Sequence, residues 1–201
     1  MSDLQCASRI FVARHGEAAY ETDLVTDDGG SLTPRGREQA RALGERLLPH
    51  RVARVWCSPA SRAVQTAEIA AAVLGVDVVV REGLREYGVG RLAGTDADEA
   101  AELGPVFAAW SAGDDTAQIP GAERVVDIVA RVVRVLEEVR DAHRGDAVLV
   151  VSHGGAIMAT VPELIRVPRA SAPATLNLGG GGCVALVADA DGWSRTDPGE
   201  V

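Results

Sequence analysis

The sequence contains no lysine, and all 20 of its basic residues are arginine. This absence excludes a Walker A phosphate loop, a Schiff-base enzyme and any lysine nucleophile, because each of these needs a lysine amine. Every candidate cation of the chain is therefore a planar guanidinium group. Such a group suits bidentate contact with a phosphate or a carboxylate.

Cysteine is scarce, and long apolar runs are missing. Cys6, Cys57 and Cys183 form an odd set without CxxC spacing, so the sequence predicts neither a disulfide framework nor a zinc site. The first eight residues include Asp3 and no apolar core, and the longest apolar stretches have only the length of strands. These features predict no signal peptide and no transmembrane segment, and we expect a cytoplasmic protein.

An excess of positive charge is also absent, since the formal net charge is -9 at pH 7. Nucleic acids and anionic membranes bind proteins through clustered cations that release counterions, so neither is an expected partner. Any anion that the protein binds must meet a local cationic pocket. With 201 residues, 47% of them hydrophobic, the chain is expected to bury a full core as a single domain over residues 1–201.

Apolar strand patterns alternate with amphipathic helix patterns along the chain. Strands are predicted at residues 10–13, 53–57, 76–80, 147–151 and 183–188, with a last strand at 193–196 that forms a hairpin across Asp191-Gly192. Helices are predicted at residues 34–48, 60–74, 122–143 and 155–164, with Thr33 and Ser58-Pro59 capping the first two. The alternation indicates an α/β fold: a three-layer αβα sandwich with a mostly parallel central sheet.

Two segments depart from this alternation. Residues 18–32 are polar and rich in glycine, which predicts a loop. Residues 81–118 are punctuated by glycines and contain one or two helical pieces within 96–110, which predicts an excursion over the carboxyl edge of the sheet. We expect this excursion to carry substrate specificity. In the helix predicted at 122–143, Arg131 falls outside the apolar stripe.

Two His-Gly pairs follow two buried-strand patterns. His15-Gly16 comes after the apolar run at residues 10–13, and His153-Gly154 comes after the run at 148–151. In an open α/β sheet, ligands bind outside the carboxyl ends of the strands, so both imidazoles are expected in one crevice.

Five motifs occur in order along the chain. They are Arg14-His15-Gly16-Glu17, residues 32–40 (LTPRGREQA), residues 58–67 (SPASRAVQTA), Leu84-Arg85-Glu86 with Gly90 and Gly94, and Ser152-His153-Gly154-Gly155. The series closely resembles the histidine phosphatase superfamily, which includes the cofactor-dependent phosphoglycerate mutases and their phosphatase relatives. The resemblance spans about residues 9–188.

The resemblance implies a role for each motif residue. His15 would be the nucleophile that takes the phosphoryl group, while Arg14, Arg62 and His153 would hold its equatorial oxygens. Glu86 would be the general acid, with Glu82 as a competing candidate that does not match the family's spacing. Glu17 would support the site from its rim, and the backbone N–H of Gly154 would contact the phosphate.

The chemistry of these residue types suits the implied roles. Imidazole is nucleophilic only when neutral, and we expect Arg14 and Arg62 to lower the pKa of His15. One ring nitrogen would attack while the other donates to a carbonyl that fixes the tautomer. A carboxyl group such as Glu86 can serve as acid and then as base if burial brings its pKa near the working pH.

The sequence also departs from the family's pattern. Ala18 stands where the family often has Ser or Thr, and Glu21 where it often has Asn, so two neutral phosphate donors are missing. Ala93 precedes the second glycine of the excursion where an acidic residue is common, and residues 122–124 replace a frequent Gly-Glu-Ser. The run Gly179–Gly182 resembles a phosphate cradle, but no helix is predicted after it, and we expect no ligand contact there.

We therefore expect a phosphatase that needs no metal or other cofactor and that acts on a small phosphorylated metabolite, with a homodimer possible. The sequence leaves two alternatives open. One is a cofactor-dependent phosphoglycerate mutase, although the longer basic excursion that mutases use is absent. The other is a catalytically weak phospho-ligand or protein interaction module, against which the presence of all five core residues argues.

Overall fold

The computed structural model describes residues 6–26, 29–172, 176 and 178–196. Eight strands lie in this part of the chain: β1 (Ser8–Arg14), β2 (Ala18–Ala19), β3 (Ser31–Leu32), β4 (Val52–Cys57), β5 (Val78–Val80), β6 (Ala147–Ser152), β7 (Cys183–Asp189) and β8 (Gly192–Thr196). The described helices are α1 (Pro34–Leu47), α2 (Ser61–Leu74), α3 (Ala97–Ala100), α4 (Leu103–Ser111), α5 (Val125–Ala142) and α6 (Gly154–Leu164). Among them, no helix is long and apolar enough to cross a membrane.

Six strands form the central sheet in the order β5-β4-β6-β1-β7-β8. The four strands from β5 to β1 run parallel, whereas β7 is antiparallel to β1 and to β8. The sheet is thus mostly parallel, as the alternation of elements predicts. In the register of β1 and β6, Arg14 lies opposite Ser152, so the residues that follow these two strand ends emerge side by side.

The side chains of β1 alternate between two cores, one on each face of the sheet. Ile10 and Val12 pack in the core beneath α5 and α6, while Phe11 and Ala13 pack in the core beneath α1 and α2. Both sets are almost fully buried, which explains why the strand reads as a continuous apolar run. The helix–sheet–helix order confirms the three-layer αβα sandwich.

The segment at residues 18–32 is not wholly a loop. Its ends pair as the short antiparallel strands β2 and β3, with Ala18 opposite Leu32. Two residues a strand are too few to produce a periodic signal in the sequence.

The capping signals were only partly predictive. Thr33 caps α1 as expected, its side chain accepting a hydrogen bond from the N–H of Gly36, and Gly75 ends α2 in the left-handed conformation. However, α2 begins at Ser61, its N-cap residue is Ala60, and Ser58 does not cap it. The helix predicted at residues 34–48 ends one residue earlier, at Leu47, and Pro49 lies in the 3₁₀ turn Leu48–His50 that follows.

Candidate active site

His15 follows β1 directly and is 8% exposed. Its Nδ1 lies 2.7 Å from the carbonyl oxygen of Gly16, and its Nε2 lies 3.3 Å from the Nε of Arg62. A carbonyl oxygen can only accept and a guanidinium N–H can only donate, so the imidazole proton sits on Nδ1 and the lone pair on Nε2. The carbonyl contact expected to fix the tautomer is therefore present.

The pKa of His15 is lowered to about 4. Burial is the main cause, and the charges of Arg62 and Arg14 lower the pKa further, while the hydrogen bond to Gly16 opposes them. The expected direction is confirmed, although the arginines contribute less than burial does. His15 is consequently a neutral imidazole at physiological pH.

Arg62 is the second residue of α2 and is only 2% exposed. Besides the contact with His15, its Nη1 donates to the carbonyl of Gly29 over 2.8 Å, and its guanidinium lies 5.6 Å from the ring centre of Tyr20. A cation this deeply buried at a helix N-terminus creates a strongly positive potential beside His15. Its position in the first turn of α2 agrees with the expectation from the sequence.

His153 is the N-cap residue of α6 and is fully buried. The centres of the His153 and His15 rings are 5.2 Å apart, so the two imidazoles come together as expected, with His153 fully buried behind His15's cavity-facing side. Nε2 of His153 lies 2.7 Å from the hydroxyl of Ser58. The pKa of His153 falls to about 2, mainly because of burial and then because of Arg62 and His15.

Arg14 crosses the start of α6. Its Nη1 donates to the carbonyl of Leu178 over 3.0 Å, while its Nε is buried without a partner among the described residues. Gly154 opens α6, and a Cβ added there would lie 3.5 Å from the same Nε. The guanidinium thus lies next to the N-terminus of α6, within van der Waals range of position 154.

The carboxylate of Glu86 also lies at the N-terminus of α6. Its oxygens accept hydrogen bonds from the backbone N–H groups of Gly155 at 3.0 Å, Ala156 at 2.8 Å and Tyr87 at 3.2 Å. Burial nevertheless raises the pKa of Glu86, against the effect of these bonds and of Arg62. The rival candidate Glu82 is exposed and pairs with Arg85 over 2.7 Å.

Arg131 of α5 holds the turn that carries Glu86. Its Nη1 donates to the carbonyls of Gly83 and Arg85 at 3.0 and 2.7 Å, and its Nη2 donates to the carbonyl of Glu86 at 3.1 Å. Glu123 neutralises the guanidinium through two further bonds of 2.6 and 2.8 Å. The sequence interpretation of Arg131 as a residue of the polar helix face missed this anchor.

Glu17 stands at the rim of a cavity of about 340 Å³ that opens beside His15. Its carboxylate accepts a hydrogen bond from the hydroxyl of Thr33 at 2.8 Å and lies 3.8 Å from Arg35. The cavity is lined by Arg14, His15, Gly16, Glu17, Ala18, Tyr20, Arg35, Gln39 and Gly180. The predicted excursion supplies none of these lining residues, although it supplies Glu86.

Two side chains to which the sequence assigned no role hold the loop of His15, residues 15–17. The hydroxyl of Thr66 accepts from the N–H of Gly16 at 3.0 Å and donates to the carbonyl of Arg62 at 2.7 Å. Gln39 accepts from the N–H of Glu17 at 2.7 Å. These two residues, and Ser58, which contacts His153, all lie in the motifs at residues 32–40 and 58–67. Membership of a motif was therefore the one sequence feature that could have indicated their roles.

Backbone contacts also hold the loop of His15. A Cβ at Gly16 would lie 2.5 Å from the carbonyl oxygen of Gly36, and a Cβ at Gly36 would lie 2.0 Å from that of Glu17. The run Gly179–Gly182 braces the same loop, since the N–H of Gly181 donates to the carbonyl of Arg14 and that of Arg14 donates to the carbonyl of Gly182. Gly180 lines the cavity as well.

Comparison with known proteins gives concordant matches. A family model described as the histidine phosphatase superfamily (branch 1) matches residues 10–197. Phosphoglycerate mutase-like protein 4 of Arabidopsis thaliana is 32% identical over 156 residues, which cover 75% of this chain and 68% of that protein.

Two solved structures are also similar to the chain. A mycobacterial glucosyl-3-phosphoglycerate phosphatase superposes with a TM-score of 0.78 at 27% identity, covering 94% of this chain and 97% of that one. YhfR of Bacillus stearothermophilus gives 0.79 at 25% identity, with 94% and 95% covered.

Proposed function

Since the chain belongs to branch 1 of the histidine phosphatase superfamily, we propose that it is a metal-independent phosphatase that hydrolyses a small phosphomonoester through a phosphohistidine on His15. The observation that carries the proposal is the protonation state of His15. Its proton is held on Nδ1 by the carbonyl of Gly16, and its Nε2 lone pair faces the guanidinium of Arg62. Such a neutral imidazole is ready to attack a phosphorus atom that Arg62 draws in.

In the first half-reaction, Nε2 of His15 forms a bond to phosphorus while the bond from phosphorus to the ester oxygen breaks. Glu86, whose pKa is raised by burial, gives its proton to the departing oxygen. In the second half-reaction, Glu86 takes a proton from water, the hydroxide attacks phosphorus, and the bond to Nε2 breaks. Inorganic phosphate leaves, and His15 returns to its starting state.

The charge of the transferred group is balanced by the surrounding donors. Phosphoryl transfer needs positioning and charge neutralisation more than covalent help. Arg62 and Arg14 supply two guanidinium groups next to His15, and the N-terminus of α6 supplies the backbone N–H of Gly154, since those of Gly155 and Ala156 already bond to Glu86. This cationic wall gives the local pocket that a chain with a net charge of -9 needs to bind an anion.

The similar proteins include both a phosphatase and a phosphoglycerate mutase-like protein. We favour hydrolysis because the cavity beside His15 is open and its rim carries Ala18 and the exposed Glu17 carboxylate, which lies 3.8 Å from the rim cation Arg35 and offsets its charge. A mutase must exclude water and hold a second phosphorylated molecule while the phosphoryl group returns.

The test of the proposal is to trap the intermediate. Turnover of a labelled phosphomonoester, stopped in alkali, should leave the label on the protein as an acid-labile and alkali-stable adduct. His15→Ala should abolish the adduct. The control is His50→Ala, which removes an imidazole beside Phe11 in the core beneath α1 and α2 and should retain the adduct. Label that resists acid would assign the phosphoryl group to a hydroxyl and refute the proposal. Turnover should also survive a metal chelator.

The distinction from a mutase needs a second measurement. Incubation with 3-phosphoglycerate and a trace of 2,3-bisphosphoglycerate should release phosphate with little 2-phosphoglycerate, if this substrate is accepted. Rapid isomerisation without phosphate release would replace the phosphatase by a mutase.

A further inference from the structure

Ser58 contacts His153 on the side of the imidazole that carries Nε2. The serine is fully buried immediately after β4, and its hydroxyl oxygen lies 2.7 Å from Nε2 of His153. The same oxygen accepts a hydrogen bond of 3.3 Å from the backbone N–H of Ala60. A structural role limited to capping α2 does not account for this arrangement, because the N-cap residue of α2 is Ala60.

The positions of the protons follow from the number of partners. If Nε2 of His153 donated to Ser58, the serine hydroxyl would have two donors facing it and no acceptor for its own proton among the described residues. A buried hydroxyl proton without an acceptor is costly. If Ser58 instead donates to Nε2, the hydroxyl makes both of its bonds, and the imidazole proton must lie on Nδ1.

In this arrangement, Nδ1 of His153 is the ring nitrogen without a hydrogen-bond partner in the part of the chain that the structure describes, and it is buried. Because Nε2 is occupied by Ser58, a phosphoryl group can reach His153 only through Nδ1. A protonated Nδ1 can donate to a phosphoryl oxygen, whereas an unprotonated Nδ1 would repel it.

We infer that Ser58 fixes the tautomer of His153 and thereby makes its Nδ1–H a hydrogen-bond donor to the phosphoryl group. The inference rests on the proposed function, since that function supplies the phosphoryl group. Ser58 is a positioning residue because it acts through His153. The two imidazoles, whose ring centres are 5.2 Å apart, then have complementary roles toward the phosphoryl group. His15 presents a lone pair to the phosphorus atom, and His153 presents a proton to an oxygen.

The direct test is nitrogen NMR of the whole protein with ¹⁵N-labelled histidine. The chain has four histidines, so His153 can be assigned by substituting the others singly. In the wild type, the proton of His153 should be found on Nδ1. A proton on Nε2 would overturn the inference without bearing on whether His15 is phosphorylated.

A matched pair of variants tests the consequence. Ser58→Ala should produce a mixture of His153 tautomers and weaken the binding of inorganic phosphate by roughly 3- to 10-fold, the size of one net hydrogen bond. The control is Ser8→Ala, which removes an equally buried hydroxyl at the start of β1, where it donates to the carbonyls of Arg140 and His143. That control should leave phosphate affinity and the tautomer of His153 unchanged.

The remaining outcomes separate the two hypotheses. Ser58→Thr keeps a hydroxyl and should restore the Nδ1 tautomer, which distinguishes a lost donor from a general loss of packing. Equal phosphate affinity in the Ser58→Ala and Ser8→Ala variants would overturn the inference. Failure of the wild type to bind phosphate would overturn the proposed function instead, while the tautomer measurement would still decide the role of Ser58.

Discussion

Replacing Arg131 by methionine should destabilise the protein and impair protonation of the leaving group. The guanidinium donates to three carbonyl oxygens in residues 83–86 and pairs with Glu123. Methionine keeps most of the aliphatic stem but removes all of these bonds. The turn that presents Glu86 would then keep the 2.8 Å hydrogen bond from the hydroxyl of Ser152 to the carbonyl of Leu84 and the bonds of the Glu86 carboxylate to the N-terminus of α6.

The magnitude follows from how buried the lost bonds are. A hydrogen bond to a charged group contributes about 1.5–3 kcal/mol net, but such contributions do not add, and the Arg131 side chain is 23% exposed, so water can replace some of them. We therefore expect the free energy of unfolding to fall by about 2–4 kcal/mol. Displacement of Glu86 should in addition lower kcat for an alkyl phosphate by about tenfold, within the range attributed to general acid catalysis.

Urea unfolding and steady-state kinetics measure the two effects separately. The control is Arg124→Met, which removes an exposed ion pair with Asp127 next to the start of α5 and should change neither quantity measurably. If Arg131→Met unfolded at the same urea concentration as Arg124→Met, the anchoring role would be refuted. If Arg131→Met lost stability but kept the wild-type kcat for an alkyl phosphate, Arg131 would support the fold without positioning Glu86.

Three further predictions concern the catalytic groups. Glu86→Gln should severely slow hydrolysis of alkyl phosphates but only mildly slow that of p-nitrophenyl phosphate, whose phenolate needs little protonation; equal losses would assign Glu86 to binding. Arg62→Ala should lower the rate by roughly 10²–10³, which corresponds to about 2.7–4 kcal/mol of lost transition-state stabilisation, and should weaken inhibition by vanadate. Wild-type kinetics in this variant would contradict the proposed role of Arg62. Because the pKa of His15 is lowered to about 4, the acid limb of kcat/KM should fall near pH 4 rather than pH 6.5, and a midpoint at 6.5 would show that His15 is not the titrating nucleophile.

Much of the site could be predicted because it follows directly from the strands. Arg14 and Ser152 are neighbours in the register of β1 and β6, so His15 and His153 emerge together at one edge of the sheet. Each strand is apolar on both faces and therefore recognisable without any knowledge of its partners. Motif spacing singled out Glu86 as the candidate general acid, and its raised pKa agrees with that prediction.

The features that the sequence could not predict depend on contacts between distant segments. Arg131 lies in a helix whose polar positions all look alike in the sequence, and only the approach of residues 83–86 shows its function. Ser58 is followed by a proline and lies just before a helix, a pattern typical of an N-cap. Its hydroxyl nevertheless bonds to His153, which is 95 positions away in the sequence. The sequence pattern thus predicted a local hydrogen bond, whereas the hydroxyl bonds to a residue that only the tertiary fold brings near.

The contact of Gly36 with the carbonyl of Glu17 has a consequence for how far helix α1 can move. A methyl group at position 36 would meet a main-chain oxygen at 2.0 Å, and no rotation of a side chain could relieve that overlap. Main-chain atoms of the helix and of the loop of His15 are therefore in direct contact, and α1 cannot move closer to the loop without overlap. In the proposed reaction, this contact would restrict the displacement of His15 toward α1, and less reorganisation of an enzyme's own groups lowers the barrier.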